Sequence, residues 1–138
     1  MNRKQTDIKR WTTDEHSIYN LGFHIIFCPK YRKSVLINGI DERLKEIIKS
    51  QIVNFEASLE SLEVMPDHVH LFVKLKPTIS PHYFIKQIKG VSSKILREEF
   101  PCLKSKLPCM WTRSYFIESV GVICEESIKK YIENQKTV

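Results

Sequence analysis

The sequence predicts a single α+β domain, residues 1–138, with the element order β-α-β-β-α-β and a further helix at the C-terminus. Four short stretches have the apolar pattern of strands, and the longer stretches between them place apolar residues at helical spacing. Of the 138 residues, 42% are hydrophobic and 28% are charged, values typical of one globular domain. The element order is the ferredoxin-like one, in which helices cover one face of an antiparallel sheet.

The first strand and the first helix follow a polar arm, residues 1–17. Aromatic and aliphatic residues alternate from Tyr19 to Phe27, so their side chains share one face of a strand, which Pro29 ends. Apolar residues at helical spacing then predict a helix with Asp41 as its N-cap. The apolar face of this helix consists of Leu44, Ile47, Ile48, Ile52 and Phe55.

A β-hairpin and a second helix form the middle of the chain. Residues 59–65 and 68–75 have the composition of strands, and the Pro-Asp pair between them suits a tight turn. Ser80 is the expected N-cap of the second helix, and Pro81 lies in its first turn. Gly90 lies mid-helix, where glycine lowers stability. Close approach of another backbone would explain this glycine.

The last two elements are a strand and a helix. Residues 110–120 are predicted to form the fourth strand, and Gly121 ends it. In the terminal helix, residues 125–135, Tyr131 and Gln135 are four residues apart and therefore share one face. From the helix alone, the simpler interpretation is a tyrosine packed in the core and a glutamine at a frayed end.

Basic residues exceed acidic ones by 22 to 16, a net charge of +6, and the excess is clustered in residues 1–10, in the KYRK segment and in residues 86–106. This clustering favours a polyanionic partner, although a solvated basic surface explains the charge equally well. The four cysteines form no C-x-x-C motif, which disfavours a zinc or redox site and is typical of buried thiols in a reducing compartment. With no apolar run long enough for a membrane span, the sequence predicts a cytoplasmic protein.

His68 and His70 are the most unusual feature of the second hairpin strand. Because side chains alternate, Val69, Leu71 and Val73 face the core, and the two histidines share the other face with Cα atoms roughly 7 Å apart. Both rings can converge on one ion. Two histidines on a solvated face are the alternative, and a metal site with two ligands is incomplete. The remaining histidines, at positions 16, 24 and 82, are isolated and more often structural.

Five segments carry a resemblance to a known family: CPKYRKSVL, EVMPDHVHLFV, KQIKGVSSKILREEFP, WTRSYFIESVG and YIENQ, in this order. Together they resemble the single-tyrosine transposases of the IS200/IS605 insertion sequences, the smallest of the HUH endonucleases. The letters HUH denote a histidine, a hydrophobic residue and a histidine, and in this sequence the motif is His68-Val69-His70. The resemblance extends from about Tyr19 to Gln135, and no motif position departs from the pattern.

The resemblance implies a metal-dependent DNA strand transfer. His68, His70 and the side-chain oxygen of Gln135 would bind Mg²⁺ or Mn²⁺, and the ion would polarise the scissile phosphate. Tyr131 would be the nucleophile and would form a 5′-phosphotyrosine, which a second 3′ hydroxyl resolves without a nucleotide cofactor. The implied substrate is single-stranded DNA with a hairpin, and the implied assembly is a homodimer in which Gly121 is the hinge of the terminal helix. Candidate DNA contacts, each also explicable as a surface charge, are Lys30, Tyr31, Arg32, Lys33, Lys86, Lys89, Lys94 and Arg113.

Two alternatives remain. The ferredoxin-like order is shared with non-catalytic nucleic-acid binding modules, which stack bases on aromatic residues of the central strands. Here the central strand has His68 and His70, with only Phe72 beside them. A host-adopted HUH nickase is the second alternative.

Overall fold

A computed structural model describes residues 12–13, 18–120 and 132–133 of the chain. Its centre is a four-stranded antiparallel sheet with the strand order β2-β3-β1-β4. This order and these directions are those of the ferredoxin-like sheet, which confirms the predicted α+β fold. In chain order the strands are β1 (Gly22–Phe27), β2 (Ser58–Met65), β3 (His68–Lys74) and β4 (Phe116–Val120).

Two long helices pack against this sheet, α1 (Ile40–Asn54) and α2 (Pro81–Glu99). A short helix, α3 (Cys102–Lys106), follows α2, and one 3-10 turn, Lys30–Arg32, follows β1. The buried residues of the helices and of the sheet form one apolar cluster. Removal of this apolar surface from water is the main force that holds the fold together.

Strand β3 has two different environments on its two faces. Val69, Leu71 and Val73 are fully buried in the apolar cluster, whereas His68 and His70 are half-buried on the opposite face. The alternation predicted from the sequence is therefore confirmed. Because α1 and α2 both pack on the Val69 side, the histidines lie on the face that points away from these helices.

The starts of the two long helices depend on different residues. Ser80 caps α2 as predicted, since its hydroxyl accepts the Tyr83 backbone N–H at 3.3 Å. The predicted cap of α1 is wrong: this helix begins at Ile40, after Gly39, whose φ of 97° favours glycine. Asp41 lies inside the first turn instead, where its carboxylate accepts the Gly39 N–H at 3.2 Å.

The fourth strand is shorter than predicted. Only Phe116–Val120 pairs with β1, and of residues 110–115 only Trp111 forms a bridge, an isolated antiparallel one with Pro29. Met110 and Trp111 are buried, and the Trp111 indole N–H donates to the Ser92 hydroxyl at 3.0 Å. Burial of a large aromatic side chain with its polar atom satisfied outweighs the strand preference of this segment.

The two ends of the chain are described in part. Thr12–Thr13 pairs with Ile18–Tyr19 in a short antiparallel ladder, and the sheet strand expected from Tyr19 begins at Gly22. Residues 132–133 are helical, in agreement with the predicted terminal helix. Outside the described residues lie the rest of the predicted arm, Gly121, Tyr131 and Gln135.

The described cysteines are free thiols but are not buried, so the expectation of buried thiols is wrong for them. Cys28 is half-buried, and Cys102 and Cys109 are exposed because α3 and the loop that follows it run along the surface. Nowhere in the described part of the chain does a helix combine the length and apolarity needed to cross a membrane.

Candidate active site

Two histidines lie on one face of β3, next to the hairpin turn. His68 is the first residue of the strand, and His70 follows after the fully buried Val69. Burial of Val69 fixes the register, because a slip by one residue would place both imidazoles in the core. On the β2 side, Met65 is the cross-strand partner of His68, and Glu63 is that of His70.

Asp67 holds the first of these histidines. One carboxylate oxygen accepts from His68 Nδ1 at 2.8 Å, and the other accepts from Arg32 Nε at 3.0 Å. The hydrogen bond with His68 lowers the pKa of Asp67 below its usual value, and the charge of Arg32 lowers this pKa further. Because a carboxylate only accepts, Nδ1 of His68 carries a proton, and the other ring nitrogen, Nε2, takes no part in this contact.

The 3-10 turn that carries Arg32 is held against the hairpin turn. The Leu36 N–H donates to the Pro66 carbonyl at 3.0 Å. Within the turn, Tyr31 and Arg32 have positive φ values of 59° and 52°. Such values are unfavourable for residues other than glycine and persist where surrounding contacts or a functional requirement fix them. Two motifs that are distant in the sequence, KYRK and PDHVH, therefore form one site.

His24 belongs to the same site, although the sequence gives no signal for it beyond its position on the non-core face of β1. Its Nδ1 lies 3.2 Å from His70 Nε2. Its ring stacks on Phe72, with the centroids 4.5 Å apart and 21° between the planes. The register of β1 and β3, which pairs His24 with Phe72 and Ile26 with His70, brings the two imidazoles together.

The described part of the site provides only some of the ligands that an ion needs. Across residues 18–120 and the two short described stretches, no three His, Cys, Asp or Glu side chains lie close enough together to hold a metal. His68 and His70 offer nitrogen donors on one face of β3. The predicted third ligand, Gln135, and the predicted nucleophile, Tyr131, lie outside the described residues.

The predicted DNA contacts occupy three places. The first place is the 3-10 turn beside Asp67. In this turn the Tyr31 side chain is 66% exposed, and Lys30 Nζ lies 5.3 Å from the centre of the Tyr31 ring. The second group lies on α2, and the third place is the loop before β4. The groups are Lys30, Tyr31, Arg32 and Lys33 in the turn, Lys86, Lys89 and Lys94 on α2, and Arg113 in the loop.

A groove of about 380 Å³ lies along the exposed side of α2, and we call it the α2 groove. Its lining has three basic residues and one acidic one: Gly90, Ser93, Lys94, Arg97, Glu98 and Lys104. Gly90 is part of its lining. A Cβ at that position would meet nothing within 4 Å, so the close backbone approach predicted for Gly90 is wrong. The glycine instead leaves the groove wider than any other residue would.

Lys89 lies on α2 as well, but its side chain is used inside the protein. Its Nζ donates to the carbonyl of Thr112 at 2.6 Å and to the carbonyls of Arg113 and Ser114 at 3.4 Å each. Desolvation by partial burial lowers the pKa of this amine. The ammonium group thereby fixes the loop that leads into β4.

Lys89→Met is expected to lower the free energy of unfolding by about 1–3 kcal/mol, because three carbonyls lose their donor. Lys94→Met, at an exposed position of the same helix, is the matched control and is expected to change this free energy by less than about 0.5 kcal/mol. Urea unfolding followed by circular dichroism measures both. Equal stability of the two variants would contradict the structural role of Lys89.

Comparisons with known proteins identify the family. The family model described as "Transposase IS200 like" matches residues 17–135. The ISDra2 transposase TnpA of Deinococcus radiodurans is 37% identical over 120 residues, which cover 86% of each chain. The transposase for insertion sequence element IS200 of Salmonella typhimurium is 30% identical over 122 residues, 87% of this chain and 80% of the relative.

Solved structures give the same result. A crystal structure of a transposase from Deinococcus radiodurans matches with a TM-score of 0.73 and 33% identity, over 90% of this chain and 97% of the other. The REP-associated tyrosine transposase bound to a REP hairpin matches with a TM-score of 0.57 and 14% identity, over 89% and 67%, which shows a shared fold. From the family match and these relatives, the chain belongs to the IS200/IS605 family of single-tyrosine transposases.

Proposed function

We propose that this transposase cuts and rejoins single-stranded DNA at the ends of an insertion sequence, with Tyr131 as the nucleophile. One observation carries the proposal: His68 and His70 stand half-buried on the face of β3 that points away from the helices, and Asp67 leaves one nitrogen of His68 free. These imidazoles contribute nothing to the apolar core, and they suit an ion that acts on a phosphodiester.

Mg²⁺ or Mn²⁺ is the proposed ion, with His68, His70 and the amide oxygen of Gln135 as ligands. The chemistry of these donors fits Mn²⁺ better than Mg²⁺: an amide oxygen suits both metals, but Mg²⁺ sites prefer oxygen ligands throughout, whereas Mn²⁺ accepts the two imidazole nitrogens. Asp67 is the hydrogen-bond partner that a metal-ligating histidine usually has behind it. An ion held by these residues would supply Lewis-acid polarisation of the scissile phosphate.

The chain's own nucleophile carries the proposed reaction. The Tyr131 hydroxyl loses its proton, its oxygen bonds to the phosphorus, and the bond from phosphorus to O3′ breaks. The released O3′ takes up a proton, and the 5′ phosphate remains on the tyrosine. Attack by another 3′ hydroxyl on this phosphotyrosine reverses the step and joins two strands. Each step exchanges one phosphate ester for another, so no nucleotide cofactor is needed.

Single-stranded DNA with a folded hairpin is the proposed substrate. A single strand exposes its backbone, and its bases stack on aromatic side chains. Exposure of Tyr31 beside Lys30, in the turn next to Asp67, supports this residue as the proposed stacking partner. A transposase of the same fold is bound to a REP hairpin, and the positive charge of the α2 groove suits the phosphates of a folded stem.

A cytoplasmic homodimer is the proposed assembly. Among the described residues, strand β4 is at one edge of the sheet, and its Phe116 and Ile117 are 51% and 37% exposed. An exposed edge leaves backbone groups free to pair with a second copy of the chain. Gly121 would then be the hinge about which the terminal helix reaches the histidines of either subunit.

Asp67→Asn is expected to weaken Mn²⁺ binding by about 10–100-fold, because a neutral amide holds the His68 ring less firmly than a carboxylate. Titration of the free-Mn²⁺ signal in electron paramagnetic resonance measures the affinity without DNA. Asp41→Asn, which changes a carboxylate in α1, is the control and should bind as the parent does. Parental affinity in Asp67→Asn would contradict the role of Asp67.

A cleavage assay tests the proposed function as a whole. Oligonucleotides from the ends of the encoding element are incubated with the protein as single strands and as duplexes, with Mn²⁺ or with EDTA. The expected result is an SDS-resistant protein–DNA adduct from the single strand, with Mn²⁺ only. Binding that persists in EDTA without any adduct would favour the non-catalytic module. Cleavage that a second 3′ hydroxyl never reverses would favour a nickase.

A further inference from the structure

Arg32 is held to the protein by one atom of its guanidinium group, and the proposed reaction assigns it no specific role. Its Nε donates to Asp67 Oδ2 at 3.0 Å, and the side chain remains 71% exposed. Across the described part of the chain, neither of its Nη groups has a hydrogen-bond partner. Because the donors of a guanidinium form a rigid planar fork, fixing Nε also fixes the direction in which the Nη groups point.

The carboxylate that anchors this guanidinium also contacts the proposed metal site. Asp67 Oδ1 lies 2.8 Å from His68 Nδ1, while Oδ2 accepts from Arg32. One carboxylate therefore holds an imidazole and a guanidinium side by side. Arginine binds phosphate through two parallel N–H···O bonds, which are stronger than hydrogen bonds between neutral groups. A strand whose scissile phosphate reaches His68 thus passes close to a preformed phosphate-binding group.

Backbone strain in the same turn points to a bound ligand. Tyr31 and Arg32 have successive φ values of 59° and 52°, a conformation that is unfavourable in residues other than glycine. An exposed ion pair such as that of Arg32 with Asp67 contributes little to stability, so it does not offset two such conformations. Strain of this kind is concentrated at sites that clamp a ligand, where the binding conformation is formed in advance.

We propose that Arg32 binds, through both Nη groups, the backbone phosphate of single-stranded DNA that is adjacent to the scissile one. Arg32 is then a substrate-binding residue that sets which phosphate of the strand lies at His68. This role rests on the proposed function, because it takes the DNA to be cut at the histidines. Lys30 and Lys33 of the same turn supply positive charge, but a lysine ammonium is a point charge and does not select one phosphate by its geometry.

Binding measured in EDTA tests this contact without a metal ion. Single-stranded oligonucleotides from the ends of the encoding element carry one neutral methylphosphonate each, moved phosphate by phosphate along the strand. Fluorescence anisotropy with the full chain measures each affinity. In the parent, replacing the phosphate bound by Arg32 is expected to weaken binding by about 10–100-fold, the usual effect of losing hydrogen bonds between charged groups. Arg32→Met is expected to bind unmodified DNA as weakly, with no further loss from that methylphosphonate.

Lys33→Met is the matched control, because it removes the same charge from the neighbouring position of the turn. It is expected to weaken binding of every oligonucleotide to a similar extent, so the methylphosphonate at the Arg32 phosphate keeps its full effect. Arg32→Lys retains the charge without the fork and is expected to lose most of that effect. If Arg32→Met does not fold, Arg32→Lys decides. An equal loss at all positions in the Arg32 variants overturns the proposal.

The failure of this contact is distinguishable from that of the proposed function. If the parent forms no covalent adduct with Mn²⁺ but one phosphate depends on Arg32, the proposed reaction fails and the phosphate contact stands. If the adduct forms and no phosphate depends on Arg32, the reaction stands and the role of Arg32 is overturned. A dependent phosphate that is not adjacent to the cleaved bond also overturns the placement of Arg32 beside the reaction.

Discussion

Tyr131→Phe is expected to abolish the covalent protein–DNA adduct and to lower strand cleavage by about 10³-fold or more, because the variant has no oxygen with which to attack phosphorus. Binding of hairpin-bearing single-stranded DNA should be unchanged, since one hydroxyl contributes little to a contact dominated by phosphate charge. Denaturing gels measure the adduct, and fluorescence anisotropy measures binding.

The chain contains five tyrosines, so the nucleophile needs a control within the same protein. Tyr83, which is 52% exposed on α2, is a suitable one. Tyr83→Phe should form the adduct as the parent does. An adduct that survives in Tyr131→Phe and disappears in another tyrosine variant would reassign the nucleophile.

His70→Ala is expected to lower Mn²⁺-dependent cleavage by at least about 100-fold. This decrease is larger than the one expected when only a hydrogen-bond partner of a metal ligand is removed. The cause is the loss of one of the two proposed imidazole ligands on β3. His68→Ala should have an effect of similar size, and it also leaves Asp67 with Arg32 as its remaining side-chain partner. Cleavage rates at saturating DNA, measured over a range of Mn²⁺ concentrations, give both values.

His82 offers the matched control for these substitutions. It lies in the first turn of α2, where its Nδ1 is 2.7 Å from the Tyr115 hydroxyl, and it has no assigned part in the reaction. His82→Ala should therefore cleave at nearly the parental rate. If His82→Ala and His70→Ala lose the same activity, a general effect on folding would explain both and the assignment of His70 would fail.

The parts of the fold that local pattern determines could be predicted from the sequence. The alternation along β3 correctly placed Val69, Leu71 and Val73 in the core, with the two histidines opposite. The cap at Ser80 was also predictable, because capping depends on residues within one turn of the helix. Both the burial pattern of β3 and the cap at Ser80 depend on residues that are close in the sequence.

The parts that depend on tertiary contacts could not be predicted. His24 meets His70 through the cross-strand register, and Arg32 meets Asp67 through a turn held against the hairpin, and neither contact has a local signal. The fourth strand was predicted too long because its first residues have strand-like composition. In the structure, the Trp111 side chain is buried in the core and donates a hydrogen bond to the Ser92 hydroxyl. The roles of Tyr131 and Gln135 stay predictions.

The two faces of β3, one apolar and one carrying the histidines, affect how mutations would inactivate this transposase in a genome with several copies of the insertion sequence. Buried apolar residues and the histidines of the proposed metal site alternate along one strand, so loss of a histidine removes no apolar contact from the core. A copy of the element with such a mutation would still make a folded protein with its basic surface intact. Under the proposed function, that protein would compete with active copies for the DNA ends, whereas a mutation at Val69, which disturbs the core, would remove the competitor as well as the activity.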